Sequence, residues 1–355
     1  MDLQTGGPWT ALANTQLDFL TLVQNAELTG IYGITFWLIL LNVSIFNWID
    51  NPFPEYSFAA ISIFIMPWLT GLILTPFPSS ENGNKLAIAV VQPNIHLSQK
   101  WKPGGARENI QSLLTLSEPA IKRETDLVIW PESATSSYIL QGNQSNLKLI
   151  QSKLANSKLL TGIPYYTGTN QNKLFYNSVV LISSNTVSKP YNKLILVPMA
   201  EHIPLSGHFP SLKDLNLGQS NFTHGKNHKI FQVNNTHIAA MICFEATIPS
   251  LSAEFVRLGA EVLVYVVNDG WYEHPPEPQQ HAKQAIYRAV ENRRPVIRCT
   301  NTGISMIIEP SGNITQQLPL NSEGVINGIV IPSNKATFYT QYGDIFAQLN
   351  GLVSI

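Results

Sequence analysis

The chain has 355 residues and a net charge of −1, and only 13% of its residues are Asp, Glu, Lys or Arg, about half the usual share. That balance argues against nucleic acid as a partner and for a membrane or a large apolar core. Two cysteines cannot build a disulfide framework, no CxxC or His/Cys spacing suggests zinc, and the residues call for no metal and no cofactor.

No Lys or Arg precedes Lys85, which argues against a cleaved signal peptide, since none of the usual basic residues follows Met1. Residues 1–28 are polar to mildly apolar. The stretch PWTALANTQLDFLTLVQNAEL is weakly amphipathic and is expected outside the bilayer core, along a membrane surface. Two apolar runs follow within 29–75, GIYGITFWLILLNVSIFNWI (30–49) and YSFAAISIFIMPWLTGLIL (56–74). Each is as long as a bilayer core requires, about 20 residues. Their Trp and Tyr residues lie largely towards the ends, as interfacial anchors do. Two transmembrane helices are expected, the second kinked at Pro67; the alternative is a buried helical hairpin. With no Lys or Arg in the flanking loops, charge gives no orientation.

Residues 76–84 read as a linker rich in Pro, Ser, Asn and Gly. Beyond it strands alternate with helices over 85–335. Strands are predicted at 86–94, 126–132, 159–166, 176–183, 187–193, 230–235, 236–243 and 261–269. Helices are predicted at 106–124, 144–157 and 277–293, with another from Pro249. A hairpin at 296–312 and a strand at 324–332 complete the series. Mixed sheets covered by helices fit an α/β layered domain of about 250 residues.

Reactive residues stand at three strand ends: Glu132 after LVIWP, Lys193 in YNKLILVPMAE, and Cys243 where THIAAMIC runs into a helix. A rigid sheet aims side chains at its strand ends while loops shape the cleft. Glu, Lys and Cys suffice for acyl transfer: a desolvated carboxylate as base, a thiol nucleophile, and a lysine with backbone amides for the oxyanion. A buried structural cysteine is the alternative for Cys243, and Cys299 reads as core. A Cys–His pairing through His237 or His281 is a further option, although no motif surrounds either histidine.

Together VIWPES (128–133), YNKLILVPMAEHIP (191–204), ICFE (242–245) and VVNDGW (266–271) resemble the nitrilase, or carbon–nitrogen hydrolase, superfamily. More narrowly, they resemble its membrane branch, the apolipoprotein N-acyltransferase family. The resemblance implies an αββα sandwich preceded by transmembrane helices. It implies Cys243 as nucleophile, Glu132 as general base and Lys193 at the oxyanion. Glu201 and Glu245 would support the site, with Phe244 where the family usually has Tyr. Trp101, near the acyl-chain mouth, and Asn177 are implied as substrate-binding positions. The implied reaction takes an acyl chain from phospholipid to a diacylated prolipoprotein at the periplasmic face of a bacterial inner membrane. A membrane-tethered amidase and an inactive fragment are the competing readings. The family has about eight membrane helices against two here, so residues 336–355 are expected to lead to a further helix, and the chain reads as shortened at both ends.

Overall fold

A computed structural model describes residues 8–75, 84–142, 144–169, 172–203, 221–271 and 276–353. Helices are α1 (Leu20–Val23), α2 (Ala26–Asp50), α3 (Pro54–Leu74), α4 (Leu97–Lys100), α5 (Ala106–Lys122), α6 (Ser145–Lys153), α7 (Pro249–Arg257), α8 (Glu277–Asn292), α9 (Phe338–Tyr342) and α10 (Ile345–Val353). One sheet holds β1 (Leu86–Gln92), β2 (Leu127–Ile129), β3 (Lys158–Thr167), β4 (Leu174–Ile182), β5 (Tyr191–Asn192) and β12 (Gly324–Val330). Its order is β12-β1-β2-β3-β4-β5. The second holds β6 (Ile230–Val233), β7 (Thr236–Ile242), β8 (Val262–Val267), β9 (Val296–Thr300), β10 (Ser305–Ile308) and β11 (Ile314–Leu318), in the order β11-β10-β9-β8-β7-β6. Each sheet has three parallel central strands with antiparallel strands outside them.

The alternation along β1 shows why its apolar run is continuous. Leu86, Ile88 and Val90 join the core between the sheets, while Ala89 and Val91 face the layer holding Ile110, Leu113 and Ile150 of α5 and α6. A strand covered on both faces needs apolar residues at every position. The thiol of Cys299 lies 3.4 Å from the Val91 carbonyl and 3.3 Å from that of Ile129, in the core as expected. The run at 187–193 departs from prediction. Only Tyr191–Asn192 pairs as a strand, with Val187 making a single bridge to Ile182. Pro190, which has no N–H for a ladder, interrupts it. The strand β11 was not foreseen, since ITQQL is mostly exposed and polar.

The apolar runs form α2 and α3, about 37 and 31 Å long at 1.5 Å per residue, enough for a hydrocarbon core of about 30 Å. They are not the buried hairpin of a soluble domain: Ile73 is 83% and Phe58 73% exposed. The helix α2 breaks its helical geometry at Gly30 (φ 63°), where a Cβ would meet the Tyr339 ring at 2.5 Å. Arg293 fastens the root of both helices. Its guanidinium donates to Glu27 Oε2 (2.7 Å), Gln24 Oε1 (2.7 Å) and the Leu74 carbonyl (3.0 Å).

Residues 8–25 form short turns rather than one amphipathic helix. Tyr287 on α8 donates its hydroxyl to the Ala13 carbonyl at 2.6 Å, and Gln24 donates to the Ser311 carbonyl at 2.8 Å. Hydrogen bonds to the layered domain therefore set this segment's path. Of the linker, residues 76–83 lie outside the described residues, as does most of the irregular region 201–228.

Candidate active site

The sequence after β2 turns sharply. Trp130 anchors in the helix-covered layer with its indole N–H on Ser117 Oγ (2.9 Å), and Glu132 follows in a tight turn. That turn lies directly on β3, where the Ala134 N–H donates to the Gly162 carbonyl (2.9 Å). A Cβ at Gly162 would stand 2.6 Å from Glu132 Cα and from the Ser133 nitrogen, so only glycine admits this approach. From below, the buried ammonium of Lys100 donates to the Glu132 carbonyl at 2.8 Å.

From Glu132 a buried polar chain runs across the sheet. The amide of Asn177 donates to Glu132 Oε1 (2.6 Å) and Glu201 Oε1 (3.1 Å). Glu201 Oε2 accepts from the Lys193 ammonium at 2.6 Å and from the Val197 N–H at 2.8 Å. All four side chains are buried. Burial and the charge of Glu201 push the Glu132 carboxyl above its ordinary value, against Lys193, Asn177 and Lys100. Burial works to lower Lys193, but the carboxylates of Glu201 and Glu132 outweigh it and hold the ammonium above its ordinary value. Lys100 is drawn down to about 8 by burial, against the attraction of Glu132.

Cys243 opens a short 3-10 turn, Cys243–Thr247, at the end of β7. Its φ is 50°, a left-handed conformation that costs about 1–3 kcal/mol in a non-glycine residue. Ser133 (φ 48°) and Met199 (φ 68°) share that conformation, so each of the loops carrying Glu132, Glu201 and Cys243 is strained beside its polar residue. Burial, then the Glu132 charge, pushes the Cys243 thiol well above its ordinary value, with Lys193 opposing. The turn is braced by Glu245. Its Oε1 accepts from Tyr191 Oη (2.8 Å), the Leu194 N–H (2.7 Å) and the Ile195 N–H (3.1 Å), and its Oε2 from the Ile242 N–H (2.8 Å).

Residues 87–332 match the carbon–nitrogen hydrolase family, and residues 3–44 match the apolipoprotein N-acyltransferase N-terminal domain. The apolipoprotein N-acyltransferase of Geobacter metallireducens is 33% identical over 97% of this chain and 68% of its own length. That of Chlorobaculum tepidum is 30% identical over 95% and 69%. The chain belongs to the apolipoprotein N-acyltransferase family. Its fold is also that of nitrilase-superfamily structures. Nit3 of Saccharomyces cerevisiae superposes with a TM-score of 0.53 at 18% identity, over 72% of this chain and 93% of its own. The amidase of Nesterenkonia sp. AN1 gives 0.55 at 14% identity, over 77% and 99%.

Within this acyltransferase fold, the hydrogen-bonded network joins Glu132, Asn177, Lys193 and Glu201, and Cys243 feels the charges of three of them. Glu245 reaches the Lys193 turn and the Cys243 turn at once. Phe244 packs into the core between the sheets, where a hydroxyl would need a partner. Trp101, 48% exposed beyond Lys100, makes none of these contacts. Pro204 of the PMAEHIP motif lies outside the described residues.

One group escaped the sequence reading. Lys100 stands beside Trp101 in a run that reads as an exposed loop, and only the fold buries it. His281, weighed in the sequence as a Cys–His option without a motif around it, lies buried with Asp269. The Cys243 sulfur, an Asp269 carboxylate oxygen and a His281 ring nitrogen lie within 4.8 Å of one another. Both Asp269 oxygens are engaged, one with His281 (2.8 Å) and the other with Arg298 (2.6 Å). Asp269 belongs to the VVNDGW motif, which was the available signal for this cluster.

Proposed function

We propose that this acyltransferase moves a fatty acyl chain from a phospholipid, through a Cys243 thioester, to the α-amine of a diacylglyceryl-cysteine apolipoprotein. The observation that carries the reading is the buried Glu132–Asn177–Glu201–Lys193 chain beside the strained Cys243, on a domain rooted to an exposed apolar hairpin.

The resting sulfur is a protonated thiol, so it needs a base. Glu132, itself raised by burial, accepts the thiol proton as the sulfur attacks the donor ester carbonyl. The Lys193 ammonium, kept charged by Glu201, faces the oxyanion of the tetrahedral intermediate. Collapse breaks the ester C–O bond, and the departing alcohol takes the proton back from Glu132. In the second half the neutral α-amine attacks the thioester and Glu132 takes its proton. The C–S bond then breaks as Glu132 returns that proton to the departing sulfur, leaving the amide and the Cys243 thiol. Glu201 and Glu245 position Lys193 and Cys243 respectively.

The hairpin supports a topology. Since Arg293 touches both Glu27 at the start of α2 and the carbonyl of Leu74 at the end of α3, residues 8–25 and the layered domain share one membrane face. We assign that face as the periplasmic one of a multi-pass inner-membrane protein, and residues 85–335 as its catalytic domain. Incubating the chain in detergent with phospholipid should add one fatty-acyl mass to Cys243, removed by hydroxylamine and absent from Cys243→Ala. No adduct on a folded chain with intact α2 and α3 would sink the reading.

A further inference from the structure

His281 sits at a fork of acceptors. Its Nε2 lies 3.2 Å from the Cys243 backbone carbonyl, and its Nδ1 lies 2.8 Å from Asp269 Oδ1. A carbonyl oxygen only accepts, so Nε2 carries a hydrogen. Asp269 is ionised: burial opposes its charge, but Arg298 and His281 hold the carboxyl well below the usual carboxylate range. A carboxylate also only accepts, so Nδ1 carries a hydrogen too. A competing arrangement has Nδ1 bare and accepting from Arg298 Nη2, 3.3 Å away. It would set a lone pair against a carboxylate oxygen at 2.8 Å, and a bare Nε2 would likewise set one against the Cys243 carbonyl at 3.2 Å. The shorter, ionic contact decides.

We propose that His281 is held as an imidazolium behind Cys243 and is a positioning residue for the nucleophile, fixing its strained backbone and placing a positive charge beside its sulfur. This rests on Cys243 as the reacting residue. The groups facing His281 are Cys243 from its turn, Asp269 from the Asp269–Trp271 turn, Arg298 from β9, and the Trp9 ring, whose centroid is 5.3 Å away at an interplanar angle of 80°. Ligand atoms of His281 and Asp269 lie within 4.8 Å of the sulfur, and Arg298 pairs with the far oxygen of Asp269 at 2.6 Å, so the His281 charge is the one left uncompensated in the cluster. Two effects follow. The Nε2 hydrogen bond offsets part of the cost of the 50° φ by fixing where the Cys243 carbonyl points. The charge also favours thiolate over thiol as Glu132 removes the proton.

The test uses the full chain in detergent with 15N-labelled histidine. The His281 ring is assigned through its proximity to Trp9, and both ring nitrogens are expected to carry hydrogen at pH 7. One bare nitrogen at that pH overturns the proposal. This reading is made on the unaltered chain, so it stands whatever a variant does. As a second readout, iodoacetamide alkylation is followed at the Cys243 peptide by mass spectrometry across pH. His281→Gln is expected to slow alkylation about tenfold at pH 7 and to move its rise to higher pH, with partial recovery in His281→Lys. A folded His281→Gln chain with the unaltered rate and pH profile overturns the charge role. Neither measurement uses acyl transfer, so failure of the thioester reaction is distinguishable from failure here.

Discussion

Replacing Glu245 with Gln keeps the side-chain shape and removes one acceptor from a site with four donors. Three donors converge on Oε1, from Tyr191, Leu194 and Ile195, and the Ile242 N–H reaches Oε2. The glutamine carbonyl serves best on the three-donor side, which turns its NH2 against the Ile242 N–H. An orphaned buried N–H costs about 1–3 kcal/mol, and weakening three charge-assisted bonds to neutral ones costs about 0.5–1 kcal/mol each. Burial also pushes the Glu245 carboxyl above its ordinary value, so removing the charge returns part of that cost. The net loss is about 2–4 kcal/mol, a large fraction of the 5–15 kcal/mol by which domains are typically stable. Thermal unfolding in detergent should fall by several degrees. Because Glu245 ties the Lys193 turn to the Cys243 turn, thioester formation should also drop at least tenfold at temperatures where the variant is folded. A Glu245→Gln chain that melts and acylates like the parent would refute the brace.

Gly162→Ala places a methyl 2.6 Å from the backbone at Glu132 and Ser133. The turn must shift, and Cys243 acylation should fall about a hundredfold while circular dichroism stays unchanged. With Glu132 as the proposed base, the acylation rate should climb as pH rises through a Glu132 value above 4.5, since only an ionised carboxylate can accept a proton. In Glu201→Gln, which lacks a charge that raises Glu132, single-turnover rates should place that climb at lower pH. Asp269 is depressed below its ordinary 3.8, so its stabilisation is complete above that value and is lost as pH falls through the lower folded one. The melting-temperature gap between parent and Asp269→Asn should persist at about pH 5 and close as pH falls below about 4.

The strand ends were readable because they are local: apolar β-runs stop where Glu132 and Cys243 stand, and a stretched α/β pattern follows. Even the core role of Cys299 follows from its apolar neighbours. What could not be read was pairing across distance. Asn177 looks like a polar residue at a strand edge until β4 lays it between two carboxylates from loops 24 and 45 residues away. Lys100 looks solvated until α4 turns it under Glu132. His281 sits in a polar helix start, EPQQHAKQ, whose period says only that one face is buried, and its partners come from three separate elements. Chain distance, rather than residue type, set the limit of legibility.

One helix links the two halves of the function. At its C-terminal end, α8 meets the membrane hairpin: Arg293 holds Glu27 and the Leu74 carbonyl. Near its N-terminal end, His281 holds the Cys243 carbonyl. Twelve residues separate Arg293 from His281, about 18 Å of helix, close to half the thickness of a hydrocarbon core. Cys243 is thus fixed at a set distance from the hairpin root by a rigid strut. Cutting the strut at its membrane end tests this. Arg293→Met leaves the buried Glu27 without its main partner and should cost about 3–5 kcal/mol, so thermal unfolding reports the root. At permissive temperature, alkylation of Cys243 by small, soluble iodoacetamide should be unchanged, while acylation from phospholipid falls. Equal losses in both would show that α8 merely packs there, with no spacing role.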